Sequence, residues 1–387
     1  MKIINKLSAI FLILLLSVTA LIGCDAHPTQ TSNTGDSHGT ISSPDNSDQS
    51  SGQSTDQSTD QSTDQSTDQS SGQSEEQPPY SDALPSQGEI ERKTVDLTLM
   101  SFNIRTIADE AMPVNNWSNR KNAVMTYLAG QDASVICMQE VRKQQYNDMN
   151  SFAALTEKFD IVYYAREGGD NPEGLAIAFD KATWEKQSEN MFWLSDTPEV
   201  MSKGWGANYY LICVNVLLKH RETGAMLNVF CVHLDHQVEL ARVNGMNLII
   251  DRISRSQYPA FVAGDFNCTD DTETYQVTAE QLLDCHASLP DADKGRTFNN
   301  WTESATEEGP CIDFCFVRKR NFTPLTFNIC RDKWSQQGGE YVFGENGYFL
   351  SDHYAVKTTV TLAYDAYLTA ENTTDNGFDG PIDRLGR

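Results

Sequence analysis

Pro259-Ala260-Phe261-Val262-Ala263-Gly264-Asp265-Phe266-Asn267 is an apolar run that ends in a carboxylate and an amide. A short apolar run bounded by turn residues reads as a buried strand. Asp265 and Asn267 flank Phe266, so their side chains point the same way while Phe266 packs beneath the turn. The arrangement recurs along the chain. Asn103 follows Leu97–Phe102, Glu140 ends the run Ser134–Met138, and His233 follows Met226–Val232. Asp313 precedes Phe314–Val317, and Asp352-His353, after Ser351, opens the final apolar strand. Strand ends on a rigid sheet can hold separate carboxylates, amides and imidazoles converging on one point. The set suits metal-assisted attack on a phosphate ester.

Further strands are expected at Val95–Met100 and Ala176–Phe179, and helical patterns run over Asn119–Ala129 and Glu239–Ile253. Tyr209–Lys219, the turn Arg221-Glu222-Thr223-Gly224 and Met226–Val232 read as a hairpin. Mixed strands with helices outside imply an α/β layered sandwich. No second linker interrupts this region, so it is expected to form one domain over 90–366, followed by a flexible tail at 367–387.

The N-terminal part has a different character. Lys2 and Lys6 precede an apolar stretch, Leu7–Ile22, too short for a comfortable membrane span. Residues 1–23 read as a signal peptide. Leu21-Ile22-Gly23-Cys24 is similar to the bacterial lipoprotein signal, in which the cysteine is diacylated, and two acyl chains suffice for stable anchoring. Residues 24–89 are polar and contain four consecutive Ser-Thr-Asp-Gln units beginning at Ser54. Such a segment cannot bury enough apolar surface to offset ordering its backbone, so it should remain a disordered tether with a reach of about 45 Å. The expected location is the outer face of a bacterial cell membrane, lipid-anchored through Cys24.

Residues through Glu89 hold twelve acids against two lysines, which leaves −15 of the total −25 on the remainder. A long nucleic acid would therefore have to be held without a general basic field. A small phosphate substrate held by a metal is compatible with this charge. Of nine cysteines, Cys137, Cys213 and Cys231 lie in apolar strand patterns and read as buried thiols. Cys311 and Cys315, with Cys285, Cys268 or Cys330, could form a disulfide in an extracellular setting.

Each polar cluster has a chemical use. Glu140 offers a hard oxygen ligand for Mg²⁺ or Mn²⁺, with water and substrate phosphate completing the shell. Asp265 can orient or deprotonate water, and the Asn267 amide can donate to a phosphate oxygen. His353, oriented by a buried carboxylate such as Asp313, keeps its proton beside the reacting phosphate. Asn103 can anchor the metal's water or the phosphate. His233, directly after its strand, is preferred over His236, which reads as structural.

At these residues the chain resembles the endonuclease/exonuclease/phosphatase superfamily, over about Val95 to Leu362. The resemblance implies a four-layer α/β sandwich with two mixed sheets packed face to face and helices outside. It implies Glu140 as the main metal ligand with Asp352 beside it, Asp265 positioning the nucleophile, and His353 paired with Asp313 at the scissile phosphate. Asn267, Asn103 and His233 would bind phosphate oxygens. A narrower resemblance to bacterial members rests on Trp117-Ser118-Asn119-Arg120, Phe192-Trp193-Leu194-Ser195, Gly204-Trp205 and His233-Leu234-Asp235-His236 followed by Ala241-Arg242. It implies that Glu173 supports the motif histidine. Tyr163-Tyr164-Ala165-Arg166-Glu167-Gly168-Gly169 departs from the Gly-Arg-Asp-Asp-Gly pattern of such proteins. Arg166 and Arg242 are candidate phosphate clamps, and Phe192, Trp193 and Trp205 a candidate apolar rim.

The expected activity is a monomeric, Mg²⁺- or Mn²⁺-dependent phosphoesterase acting on a small or lipid phosphodiester or phosphomonoester. A nuclease on extracellular DNA or RNA is the alternative within the same chemistry. A binding lipoprotein that kept the fold without turnover is the alternative outside it.

Overall fold

The computed structural model describes residues 92–304 and 306–365. The expected signal peptide, tether, acylated Cys24 and tail lie outside the described residues. In chain order the elements are β1 (Arg92–Asn103), α1 (Trp117–Ala129), β2 (Val135–Arg142), α2 (Lys143–Asn150), α3 (Ala153–Lys158), β3 (Phe159–Ala165) and β4 (Glu173–Asp180). They continue with β5 (Trp184–Trp193), β6 (Ile212–His220), β7 (Met226–His233), α4 (Glu239–Arg255), β8 (Ala260–Asp265), α5 (Glu273–Gln281), β9 (Leu282–Asp284) and β10 (Asp313–Arg318). The last are β11 (Phe322–Cys330), β12 (Lys333–Gln337), β13 (Glu340–Gly344), β14 (Tyr348–Phe349) and β15 (Ala355–Asp365).

Two mixed sheets of six strands form the body, in the orders β11-β15-β1-β2-β4-β3 and β5-β6-β7-β8-β10-β9. Alternation along each strand explains their stacking, because successive side chains leave opposite faces. Leu97 and Leu99 of β1 join Val229, Cys231 and Phe261 of the other sheet in the central core. Met100 and Phe102 turn the other way and meet Ala123, Val124 and Leu128 of α1. On the far side Phe230, Val232 and Val262 pack against Met246, Ile249 and Ile253 of α4. The result is helix, sheet, sheet, helix. Both faces of the inner strands are dry, and each fully buried Phe or Leu contributes about 1.5–3 kcal/mol.

This order places the expected site. β15, β1 and β2 are neighbours in one sheet and β7, β8 and β10 in the other, so the clusters at their ends share one edge of the sandwich. Within the second sheet the register sets His233 beside Asp265 and Asp265 opposite Asp313. Gly264 makes that register possible: a Cβ there would lie 1.9 Å from the Val232 carbonyl oxygen.

Several details differ from the sequence reading. β2 does not stop at Met138 but runs on to Arg142, with a bulge between Met138 and Val141 where it pairs with β4. β6 begins at Ile212, leaving Tyr209 and Tyr210 in the preceding loop. A small sheet in the order β13-β12-β14 lies in the segment before Ser351 and was not expected. None of the disulfides open to Cys311 and Cys315 is formed: all eight cysteines among the described residues are free thiols. Cys285, just past the end of β9, donates its N–H to the carbonyl of Cys315 in β10 at 2.9 Å. Among the described residues no helix is long and apolar enough to cross a membrane.

Candidate active site

The Asp265 carboxylate is the meeting point. Its Oδ2 accepts a hydrogen bond from Asn103 Nδ2 at 3.0 Å and lies 3.5 Å from His233 Nε2 and 3.7 Å from His353 Nε2. Its Oδ1 accepts the backbone N–H of Asn267 at 2.9 Å. Asn267 sits on left-handed backbone, φ 49°, and its amide donates to the Leu234 carbonyl at 3.0 Å. In this geometry one N–H of the amide ties the β8 end to the β7 end.

His353 is enclosed. Its Nδ1 is 3.0 Å from Asp313 Oδ2, and Phe298 covers the ring at 5.0 Å between centroids. Burial opposes charge on this imidazole, but Asp313 and Asp265 outweigh it and raise its pKa from 6.5 to about 10. The two carboxylates thus favour the imidazolium form of His353. Asp313 Oδ1 is buried without a hydrogen-bond partner. Burial pushes the Asp265 carboxyl up, a tendency that Asp313 reinforces and the two histidines oppose.

The second group of acids stands beside the first. Glu140 occupies the β2 bulge with φ 59°, and this local reversal, rather than the end of the strand, aims its carboxylate into the site. Oε1 accepts from Asn103 Nδ2 at 3.2 Å and Oε2 from the Thr106 backbone N–H at 2.8 Å. Burial raises the Glu140 carboxyl, yet His233, the Thr106 N–H, His353 and Arg105 together hold it down at about 2. Asp352 is buried, which pushes its carboxyl up. Its Oδ2 lies 3.3 Å from Arg105 Nη1, whose distance to Glu140 Oε2 is 4.0 Å.

Two donor sets here could meet a divalent ion. Asp265, Asp313 and His353 bring candidate ligand atoms within 4.8 Å of one another. Ligation by His353 would require a neutral ring, against the pull of Asp313 at 3.0 Å and Asp265 at 3.7 Å, which both favour its charged form. Glu140 and Asp352 offer hard anionic oxygens without that conflict. Four buried or half-buried acids, Glu140, Asp265, Asp313 and Asp352, outnumber the basic side chains that touch them, Arg105, His233 and His353. The site fits a hard cation.

The Endonuclease/Exonuclease/phosphatase family profile matches residues 100–353, from the end of β1 to His353. The chain belongs to this family. Among solved structures, it resembles an endonuclease/exonuclease/phosphatase family protein of Bacteroides thetaiotaomicron, with TM-score 0.61, 26% identity, and coverage of 70% of this chain and 96% of that one. A mannosyl-6-phosphatase of Bacteroides thetaiotaomicron VPI-5482 matches with TM-score 0.59 and 27% identity over 68% of this chain and 99% of that one. Among curated proteins, uncharacterized protein L388 of Acanthamoeba polyphaga mimivirus is 28% identical over 260 residues, 63% of this chain and 91% of that protein.

Against this family background, three expected site residues sit elsewhere. Glu173 does not support a histidine; its carboxylate pairs with Arg166 at 2.9 Å and Arg142 at 3.4 Å, so two guanidiniums take its lone pairs. Arg242 is no free phosphate clamp. It pairs with Glu239 and donates to the Asp235 carbonyl at 2.7 Å, fixing the loop that follows His233. Arg166 is likewise spent on Glu173 and lies over the Tyr209 ring at 5.2 Å. Phe192 is core, beneath Arg252, rather than an apolar rim. Trp193 donates to the Arg166 carbonyl and Trp205 to Asp196. His236 is exposed against Tyr209 rather than structural.

Sequence reasoning also missed supports. Thr297 Oγ1 accepts the backbone N–H groups of Ile312 and Asp313, and the N–H groups of Asn299 and Asn300 donate to the Asp352 carbonyl. Buried Arg120 donates to the carbonyls of Ile104, Arg105, Asn115 and Leu350, locking the loop after β1 to the segment before Ser351. Trp117-Ser118-Asn119-Arg120 held that last signal, but nothing in it showed which carbonyls Arg120 would take.

Proposed function

We propose that this chain is a divalent-metal-dependent phosphoesterase, with Mg²⁺ or Mn²⁺ held by Glu140 and Asp352, that hydrolyses a small phosphomonoester or phosphodiester. The observation that carries the reading is the convergence of Asn103, His233 and His353 on Asp265 Oδ2, beside the Glu140–Asp352 pair. When bound there, a divalent ion would supply Lewis-acid polarisation of the phosphate ester. Asp265, fixed by Asn103 and the Asn267 N–H, orients the attacking water and takes its proton as oxygen bonds to phosphorus and the ester P–O bond breaks, the leaving oxygen departing as an alkoxide that takes a proton from solvent. The His353 imidazolium donates to a phosphoryl oxygen and meets the charge that grows there. Asp313 holds that ring in place.

A sugar phosphate is the leading substrate class. The mannosyl-6-phosphatase of Bacteroides thetaiotaomicron supports it at 27% identity, and the −15 charge outside the N-terminal region disfavours polyanions. A nuclease is the second reading and a non-catalytic binding protein the third. We further propose, from residues 1–89, that the enzyme works at the outer face of a bacterial membrane through an acylated Cys24. Turnover of a sugar 6-phosphate, bis-p-nitrophenyl phosphate and DNA, with and without chelator, tests the reading; absence of chelator-sensitive hydrolysis of any phosphoester would sink it.

A further inference from the structure

Arg105 was not singled out by its sequence, yet it holds an unusual place. It lies two residues beyond Asn103 on left-handed backbone, φ 61°, a conformation unfavourable for a side-chain-bearing residue that persists where the surroundings over-determine it. Here they do. Its N–H donates to Asn103 Oδ1 at 3.0 Å, and its carbonyl accepts from Arg120 Nη2 at 3.0 Å and Gln145 Nε2 at 2.8 Å. Its Nε donates to Glu110 Oε1 at 2.9 Å, which aims the far end of the guanidinium at the acids. Nη1 then stands 3.3 Å from Asp352 Oδ2 and 4.0 Å from Glu140 Oε2.

We infer that Arg105 is a built-in counter-cation of the Glu140–Asp352 pair, and that it sets the affinity of this pair for a divalent ion by competing for the same carboxylate oxygens. The backbone of residue 105 is fixed by bonds that do not involve its side chain, so the charge is delivered to one place. Two carboxylates drawn together in a buried site repel each other, and the guanidinium offsets that repulsion. A divalent ion drawn to Glu140 Oε2 and Asp352 Oδ2 meets this fixed positive charge within a few ångströms. Its binding is weakened by the guanidinium. Arg105 is thus a positioning residue, and its function is to keep the ion exchangeable while holding the acids together. The inference rests on the reading that Glu140 and Asp352 form the metal pair.

The experiment is calorimetric titration of Mn²⁺ into the wild-type protein and the R105Q, R105A, R105K and E140Q variants, with the metal-induced change in melting temperature measured alongside. The Arg105 side chain is 30% exposed, and circular dichroism checks each variant. R105Q and R105A should each bind Mn²⁺ at least about tenfold more tightly than wild type, because a charge within a few ångströms of a divalent ion is worth that much even in a water-like dielectric. R105K should stay within about threefold of wild type. The neutral variants should also show a larger metal-induced rise in melting temperature, since binding to the native state stabilises by mass action. Unchanged or weaker binding in folded R105Q and R105A, with E140Q still weakened, overturns the Arg105 inference alone. Unchanged binding in E140Q, or no binding in wild type, overturns the metal pair as well.

Discussion

Replacing Asp313 with Asn isolates one interaction of the site. Asp313 Oδ2 is 3.0 Å from His353 Nδ1, both side chains are buried, and the carboxylate is the foremost cause of the imidazole's rise from 6.5 to about 10. Asn keeps the shape and removes the charge, while Asp265 at 3.7 Å still favours the imidazolium. Removing one opposite charge at this range should lower the His353 pKa by about 2. Because the native value lies above the unfolded one, the stabilisation is fully present below pH 6.5 and is lost as pH rises through 10. The penalty of D313N should therefore be about 3 kcal/mol at pH 6 and under about 1 kcal/mol at pH 9.5. Urea unfolding at the two pH values measures it. The basic limb of the kcat profile should move down by about the same 2 pH units. A penalty equal at pH 6 and pH 9.5, with the basic limb unmoved, would refute the claim that Asp313 holds His353 charged.

Other substitutions test other parts of the site. H353A and D265N should each lower kcat by at least about a hundredfold while circular dichroism shows the fold intact, the lower end for positioned proton transfer or oxyanion support; near-normal turnover in H353A would remove it from the mechanism. R242A should cost about 1–3 kcal/mol in urea unfolding, through its lost bonds to Glu239 and the Asp235 carbonyl, and should leave the salt dependence of KM unchanged; a KM that alone rises, with stability kept, would restore it as a substrate clamp. C24S should shift the full-length protein from the membrane fraction to the medium or to an unprocessed precursor, and fractionation that still finds it tightly bound would contradict acylation.

The fold and the meeting of the strand ends were readable because both rest on local pattern. An apolar run followed by Asp265, Asn103 or His233 reports a strand and what stands at its end. What was not readable depends on partners far apart in sequence. Glu173 and Arg242 look like free functional charges until Arg166, Arg142 and Glu239 are seen beside them. Glu140 was found by its position after an apolar run, but the bulge that aims it leaves no compositional trace. Phe298 lies in a polar stretch between β9 and β10 without periodicity, so its cover over His353 had no signal. Arg105 is a lone charge in a loop, and only the backbone turn and the ties of Glu110 and Arg120 give it meaning.

We propose that these converging groups hydrolyse a compact phosphoester with the help of a divalent ion. The most direct measurement is kcat/KM for a sugar 6-phosphate and for duplex DNA at about 150 mM salt, near physiological ionic strength, with Mn²⁺ present and then chelated. Hydrolysis of the sugar phosphate that exceeds that of DNA, disappears with chelator and returns with Mn²⁺ is the predicted result. Efficient DNA cleavage without turnover of any small phosphoester, or hydrolysis indifferent to chelator, would contradict it.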